Sequence, residues 1–219
     1  MSAIFPNGST FAISGSLEAA KVVSSISNAN PGVASATTHG YTNGDIVVIG
    51  NPSRLDQRVV RVANQATGTF ELEGIDTTST TLYPAGFGVG TAQKAGSAST
   101  GFTSLSQTVD VAPSGGEQQF NQWAYIEDGR QRQRPTFKNA RALTLQMHYD
   151  PTLAWHAALL DADQKGDVRV LRVSLPTGAK LFYAVYVGFD GQPSIQINEN
   201  MAVTASFALA CPDLTRYAS

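Results

Sequence analysis

ATTHGYTNGDIVVIG, residues 36–50, is the stretch on which the fold turns. A cluster of turn-forming residues, HGYTNGD at 39–45, runs directly into an unbroken apolar tetrad, Ile46-Val47-Val48-Ile49. His39 beside Asp45 raises acid–base chemistry, and Gly40, Gly44 and Gly50 raise a phosphate cradle. The third reading is a tight turn feeding a strand of a small β-domain. Asn43-Gly44 tolerates positive φ, so the chain reverses there into a strand at Ile46. No second carboxylate or cysteine accompanies His39 and Asp45 at ligand spacing, so both read as turn or strand-end residues.

Working outward, short β-rich segments recur about every ten residues, the spacing of a small all-β unit. Arg58-Val59-Val60-Arg61-Val62 and Thr69-Phe70-Glu71-Leu72 follow the tetrad, separated by turn material at residues 50–53, 66–68 and 73–74. Phe70 and Leu72 alternate with Thr69 and Glu71, as in a half-buried strand.

Charge divides the chain. Residues 1–100 carry five Lys/Arg and six Asp/Glu, whereas residues 101–219 carry ten and eleven. Glycine-rich stretches at 84–90 and 96–101 read as turn and linker between two modules. The second module has one helix. Asp150-Pro151 supplies an N-cap acceptor and a first-turn proline. Leu153, His156, Ala157 and Leu160 follow helical spacing, and Lys165-Gly166 ends the run. Strand signals flank it at 107–111 and 142–147 before, and at 168–175, 180–187, 194–198 and 201–209 after; the turn Pro176-Thr177-Gly178 marks a hairpin. One helix among antiparallel strands makes an α+β fold.

The 219 residues suffice to bury a real core. Only 15% are charged and 42% are hydrophobic, which argues against global disorder. A net charge of -2 argues against tight nonspecific duplex binding. Cys211 is the sole cysteine, so no internal disulfide framework exists, in keeping with a reducing cytoplasm. The N-terminus lacks the basic and apolar regions of a secretory signal. No apolar run approaches the ~18 residues of a membrane span.

Catalytic signatures are missing: there is no Walker A, HExxH, CxxC or GxSxG pattern. His148 and His156 lie eight residues apart on different elements, and Asp161 and Asp163 form a pair read as solvated. The pattern implies no catalytic residues, no cofactor and no metal. The conspicuous charge feature is Arg130-Gln131-Arg132-Gln133-Arg134, preceded by Phe120, Trp123, Tyr125 and Ile126. It reads as a solvated loop, as a phosphate-and-stacking surface, or as an assembly loop with aromatic anchors and arginines pairing across subunits. Assembly ranks above nucleic-acid contact, because Glu127, Asp128 and the overall charge weaken a phosphate footprint. The loop would span residues 113–135 and wait, mobile, for a partner.

These stretches together resemble the major tail tube proteins of long, non-contractile-tailed bacteriophages. HGYTNGDIVVIG (39–50) with RVVRVANQATGTFELEGIDTTS (58–79) is similar to the small β-domain inserted in many of them. SGGEQQFNQWAYIEDGRQRQRPTFKNARALTLQMHYDPT (114–152) resembles their long loop, strand and helix entry. The run from Val168, VRVLRVSLPTGAKLFYAVYVGFDGQPSIQINENMAVTASFALACPDLTRYA, resembles their C-terminal β-meander. The resemblance implies a mainly β, α+β fold: an antiparallel β-sandwich or barrel-like core with one packed α-helix, plus a small inserted all-β domain. Residues 1–29 would be an N-terminal arm and first core strands, 30–83 the inserted domain, and 84–219 the core, with helix 151–165 and loop 113–135.

It further implies a structural virion protein, not an enzyme, assembled in the host cytoplasm into a homo-oligomer of stacked hexameric rings. Phage DNA would pass through the lumen without specific binding, with tape measure, tail tip and terminator proteins as further partners. The expected subunit-interface residues are Phe120, Trp123, Tyr125, Arg130, Arg132 and Arg134. The competing reading is a virion decoration protein or adhesin whose small β-domain binds a surface.

Overall fold

The computed structural model, which describes residues 7–50, 54–97 and 100–218, shows why the run at 46–49 has no polar member. Side chains on a strand alternate between its two faces. Val47 and Ile49 enter one core with Val60, Val62, Phe70 and Leu72. Ile46 and Val48 enter another, with Val59, Val170, Phe182 and Tyr217. A strand buried on both faces reads as a continuous apolar run, which is what the sequence has.

The elements follow one another as β1 (Thr10–Ser14), β2 (Lys21–Val23), β3 (Ser25–Ile26), β4 (Val33–Ser35), β5 (Asp45–Gly50), β6 (Arg58–Ala66) and β7 (Thr69–Leu72). Next come β8 (Gly90–Ser97), β9 (Phe102–Leu105), β10 (Thr108–Ser114), β11 (Gln118–Ala124), β12 (Gln131–Lys138) and β13 (Ala142–His148). Helix α1 (Ala154–Lys165) precedes β14 (Arg169–Ser174), β15 (Lys180–Gly188), β16 (Ala202–Leu209) and β17 (Thr215–Tyr217). Among the described residues every strand pairing is antiparallel. Residues 1–6 of the expected arm, 51–53 of the expected turn and 98–99 of the expected linker lie outside the described residues.

Two large sheets result. The larger has the order β10-β13-β16-β15-β14-β1-β9, with β17 added beside β15. Its two edges, β9 and β10, are separated in the chain only by Ser106 and Gln107, so the sheet curls until its edges approach. The smaller has the order β2-β8-β5-β6-β7-β4-β3. Its edges β2 and β3 are separated only by Ser24, so it curls too and encloses Val47, Ile49, Phe70 and Leu72. The smaller sheet therefore takes in Lys21–Val23, Ser25–Ile26 and Gly90–Ser97, beyond the 30–83 expected for it.

Helix α1 packs on the larger sheet through Trp155, Leu159 and Ala162. This corrects the expected stripe of Leu153, His156, Ala157 and Leu160 by about one position. The start is corrected as well, from 151 to Ala154. Leu153 is the N-cap residue and gives no side-chain cap. Asp150 spends its carboxylate a turn earlier, accepting from Thr152 N at 3.0 Å and from the Thr152 hydroxyl at 2.6 Å. The end matches: Gly166 is left-handed at φ 60 and donates to Ala162 O. Arg169, buried, ties that end to β14 through Asp161 at 2.9 Å and Asp167 at 2.6 Å. Asp161 stays about half exposed, as expected of a solvated acid, while pairing with Arg169 and with Lys165.

Tyr217, near the C-terminus, joins the two sheets. Its hydroxyl accepts from Arg61 N at 2.7 Å and donates to Glu73 O at 3.1 Å, while its ring packs beside Phe182. The Arg61 guanidinium lies 4.4 Å from the Tyr217 ring centroid and forms a two-pronged pair with Glu73. Burial pushes the Tyr217 phenol up to about 12 from 10.0. The fold thus favours the neutral phenol. Its contribution is fully present below pH 10 and is lost as pH rises through about 12.

Two stability outcomes are expected. Phe182→Ala, which empties the layer between the sheets, lowers stability by about 3–5 kcal/mol in a urea titration. Tyr217→Phe is less stable at neutral pH by about 1–2 kcal/mol, because Arg61 N and Glu73 O lose a buried partner. The gap between Tyr217→Phe and the unaltered chain should close as pH is raised from 10 to about 12. A gap constant across that range contradicts the assignment.

Candidate assembly interface

Strands β10 and β13 pair from Thr108↔Met147 to Ser114↔Ala142. The ribbon continues past that end of the sheet. Strands β11 and β12 pair from Gln118↔Lys138 to Ala124↔Gln131, as a two-stranded sheet separate from both larger ones. The expected loop 113–135 is corrected accordingly: it is the end of β10, a kink, a strand, a tip and the start of a return strand.

The kink dictates its own sequence. Gly115 and Gly116 have φ of 75 and 87. A Cβ on Gly115 would stand 1.9 Å from Ala140 O, and one on Gly116 2.7 Å from Arg141 Nε. Glycine alone fits the first without moving backbone. Across the kink, Gly116 N donates to Asn139 O at 3.2 Å and Asn139 N to Glu117 O at 3.0 Å. The Asn139 amide adds a bond to Glu117 Oε2 at 3.2 Å.

Register sorts the arm's side chains. Trp123 faces Arg132 and Asn121 faces Arg134, so these four share one side. Phe120 with Pro135, and Gln122 with Gln133, occupy the other. At the tip, Gly129 N donates to Tyr125 O at 3.2 Å and Arg130 N to Asp128 Oδ1 at 3.0 Å. Asp128 also pairs with the Arg132 guanidinium at 2.5 Å, which lies 5.2 Å from the Tyr125 ring centroid.

Arg132 is therefore a clasp inside the tip. The Arg130 and Arg134 side chains have no hydrogen bond or ion pair among the described residues. Of the expected residues, Phe120 and Tyr125 are about half exposed, at 49% and 52%, and Trp123 is partly covered. Ile126, read in the sequence beside those aromatics, is 100% exposed, and one further exposed apolar residue was not foreseen: Phe137, 66% exposed. Ile126 sits at the tip, and Phe137 belongs to a strand that is exposed along its whole length. Phe137 carried a signal in the run Pro135-Thr136-Phe137, hidden because the residues after Arg134 read as the loop's end.

The opening cluster holds the smaller sheet together. His39, buried, accepts from Tyr41 N at Nδ1 (3.0 Å), so Nε2 carries the hydrogen that meets Ala66 O at 3.1 Å. Its ring packs at a tilt against Tyr41 and Phe70. Asp45 accepts from Thr42 N at 2.8 Å and pairs with Lys94 at 2.9 Å. Each is engaged separately, and the two make no hydrogen bond to each other. Among the described residues no group of three or more His, Cys, Asp or Glu is placed to hold a metal ion. None of the described helices is long and apolar enough to cross a membrane.

A short isolated hairpin is marginally stable in water, and large apolar residues along an exposed ribbon mark an interaction surface. The architecture is that of a β-rich subunit, with two curled sheets on a common core and an exposed two-stranded arm. The family model described as phage tail tube protein matches residues 51–219, well over half the chain. The chain belongs to the phage tail tube protein family and is a structural subunit of the virion tail.

Among solved structures, the tail of an empty GTA particle, computed with helical refinement and C6 symmetry, is similar at a TM-score of 0.42 and 12% identity. That match covers 55% of this chain and 89% of the other. The tube-terminating cap of the anti-feeding prophage is similar at a TM-score of 0.32 and 15% identity, over 49% and 79% of the two chains. No curated protein matches the sequence.

The kink supplies a test. Gly115→Ala, with a Cβ driven toward Ala140 O, should leave the urea midpoint of the core nearly unchanged while misdirecting the arm. Assembly of the purified variant, followed by light scattering, is expected to fall sharply. Unimpaired assembly would show that the arm's direction is immaterial.

Proposed function

We propose that six copies of this chain close a ring, that rings stack into a tube, and that the phage genome passes through its lumen. The arm of residues 117–138 joins one ring to the next. The observation that carries this reading is the hairpin itself, which among the described residues pairs only with itself and exposes Phe120, Tyr125, Ile126 and Phe137. Burying each such side chain contributes ~1.5–3 kcal/mol, so three anchors offset much of the cost of association. Tape measure, tail tip and terminator proteins cap and measure the tube, and assembly takes place in the host cytoplasm. No turnover is assigned to the chain.

The test removes the arm. Replacing residues 117–138 by a short Gly/Ser bridge cuts at the kink and spares the β10–β13 pairing. The expected product is a folded monomer that forms no tubes by negative-stain microscopy, while Trp123→Ala weakens tube formation. Normal tubes from the arm-less chain contradict the reading. An unaltered chain that stays monodisperse at high concentration would favour the decoration or adhesin role instead.

A second expectation concerns the lumen. DNA has to slide, and every phosphate neutralised by a fixed cation adds a salt-dependent hold. With a net charge of -2, the free subunit should give no gel shift with duplex DNA at physiological salt. A micromolar shift abolished by replacing Arg130, Arg132 and Arg134 would turn the arm into a nucleic-acid contact.

A further inference from the structure

The β13–β16 pair has two chemically different ends. Ala142 pairs with Ala208 at one end, where the arm departs, and His148 pairs with Ala202 at the other. Toward the second end lies an open cleft lined by Gln146, Thr204 and Ser206 of the sheet, Asp163 of α1, and Asp190 and Gln192 beyond β15. Among the described residues no lysine or arginine lines it. Asp163 accepts from Phe189 N and Asp190 from Gln192 N, both at 3.1 Å through Oδ1. The second carboxylate oxygen of each has no partner among the described residues. Four other clefts carry at least one cation or a single carboxylate. Beside the acidic cleft, the segment leading back to β16 exposes Ile195, Ile197 and Met201, at 76%, 91% and 48%.

The geometry points to this cleft as the seat of the arm tip of a second copy of the chain. This rests on the reading of the arm as the ring-to-ring joint, and names the surface that receives it. The match is chemical on both counts. Arg130 and Arg134 bring two guanidinium groups without side-chain partners to two carboxylates that each keep a free oxygen. Tyr125 and Ile126 bring exposed apolar surface to Ile195, Ile197 and Met201. Within one copy, the cleft's lining on β16 runs from Ser206, opposite Thr144, to Ala202, opposite His148, so it begins about 7 Å from the arm's departure at Ala142 and ends about 20 Å from it. A donor at one end and an acceptor at the other make a head-to-tail contact, which repeats as an open stack when rotation does not close it. Opposite charges set its register and its rate of formation more than its strength, because the cleft is open to water.

The test is charge exchange within one chain. Asp163→Asn with Asp190→Asn keeps acceptors for Phe189 N and Gln192 N and removes both charges. It should raise the critical concentration for tube formation about three- to tenfold and flatten its salt dependence. Asp163→Lys with Asp190→Lys should block assembly, as should Arg130→Glu with Arg134→Glu. The chain carrying all four reversals should assemble again, because its arm and cleft are once more opposite in sign. Thermal melting of each variant confirms an intact fold. If both cleft variants assemble like the unaltered chain while the arm-less chain does not, this docking site is wrong and the arm reading stands. Should the arm-less chain assemble too, the arm reading falls with it. Cleft variants that are folded, fail to assemble and are not restored by the four-fold exchange also overturn the docking site.

Discussion

Everything in this molecule depends on one strand having no solvent face. At β5, Val47 and Ile49 close the interior of the smaller sheet while Ile46 and Val48 lie against the larger one. A one-residue slip would exchange the two sets, and because both faces are buried and apolar, alternation alone would tolerate it. Polar ties outside the tetrad fix the register. Asp45 is held by Lys94 and by Thr42 N, and a register shift falls between Ile46 and Val47 where β5 meets β8. On the adjoining strand, Arg61 is pinned by Glu73 and Tyr217. The smaller sheet is thereby mounted on the larger as a shared core, not tethered as a bead.

The second constraint is backbone geometry at Gly115-Gly116. A ribbon whose strands already pair over β10–β13 is turned there and sent out as an arm. The arm buries little of itself, and Arg132 is consumed in stiffening its own tip through Asp128 and Tyr125. On the proposed reading it presents a preorganised apolar and cationic end, whose ordering cost is partly met before a partner binds. Because the arm leaves one end of β13 and the acidic cleft lies toward the other, the subunit is polar along its strands. Polarity of this kind is what a tube built from identical copies requires.

Much of this was legible in the sequence, for identifiable reasons. Strand periodicity located β7 to the residue, and the Pro176-Thr177-Gly178 turn located the β14–β15 hairpin. Asn43-Gly44 announced the reversal into β5, where Gly44 has φ 90. Periodicity also showed that the tetrad was apolar throughout, but the core on its Ile46 and Val48 face draws on residues more than a hundred positions further along, such as Phe182 and Tyr217. The arm was mistaken for a loop because its strands are rich in Gln and Arg, and because Gly-Gly reads as a break when it is a kink in a continuing ribbon. The helix start moved because Asp150 turned its side chain to Thr152. As for the interface set, aromatic content pointed to Phe120 and Tyr125, while Arg132's internal role depends on the tip turning back to bring Asp128 and Tyr125 beside it.

The claim that a self-paired arm makes this chain a head-to-tail tube subunit is tested most directly by a helical reconstruction of filaments grown from the purified protein. The account predicts stacked rings in which residues 125–134 of each copy lie on the 188–206 end of a copy in the next ring. Rings that stack through other surfaces, with the arm free in solvent or turned into its own ring, would contradict it.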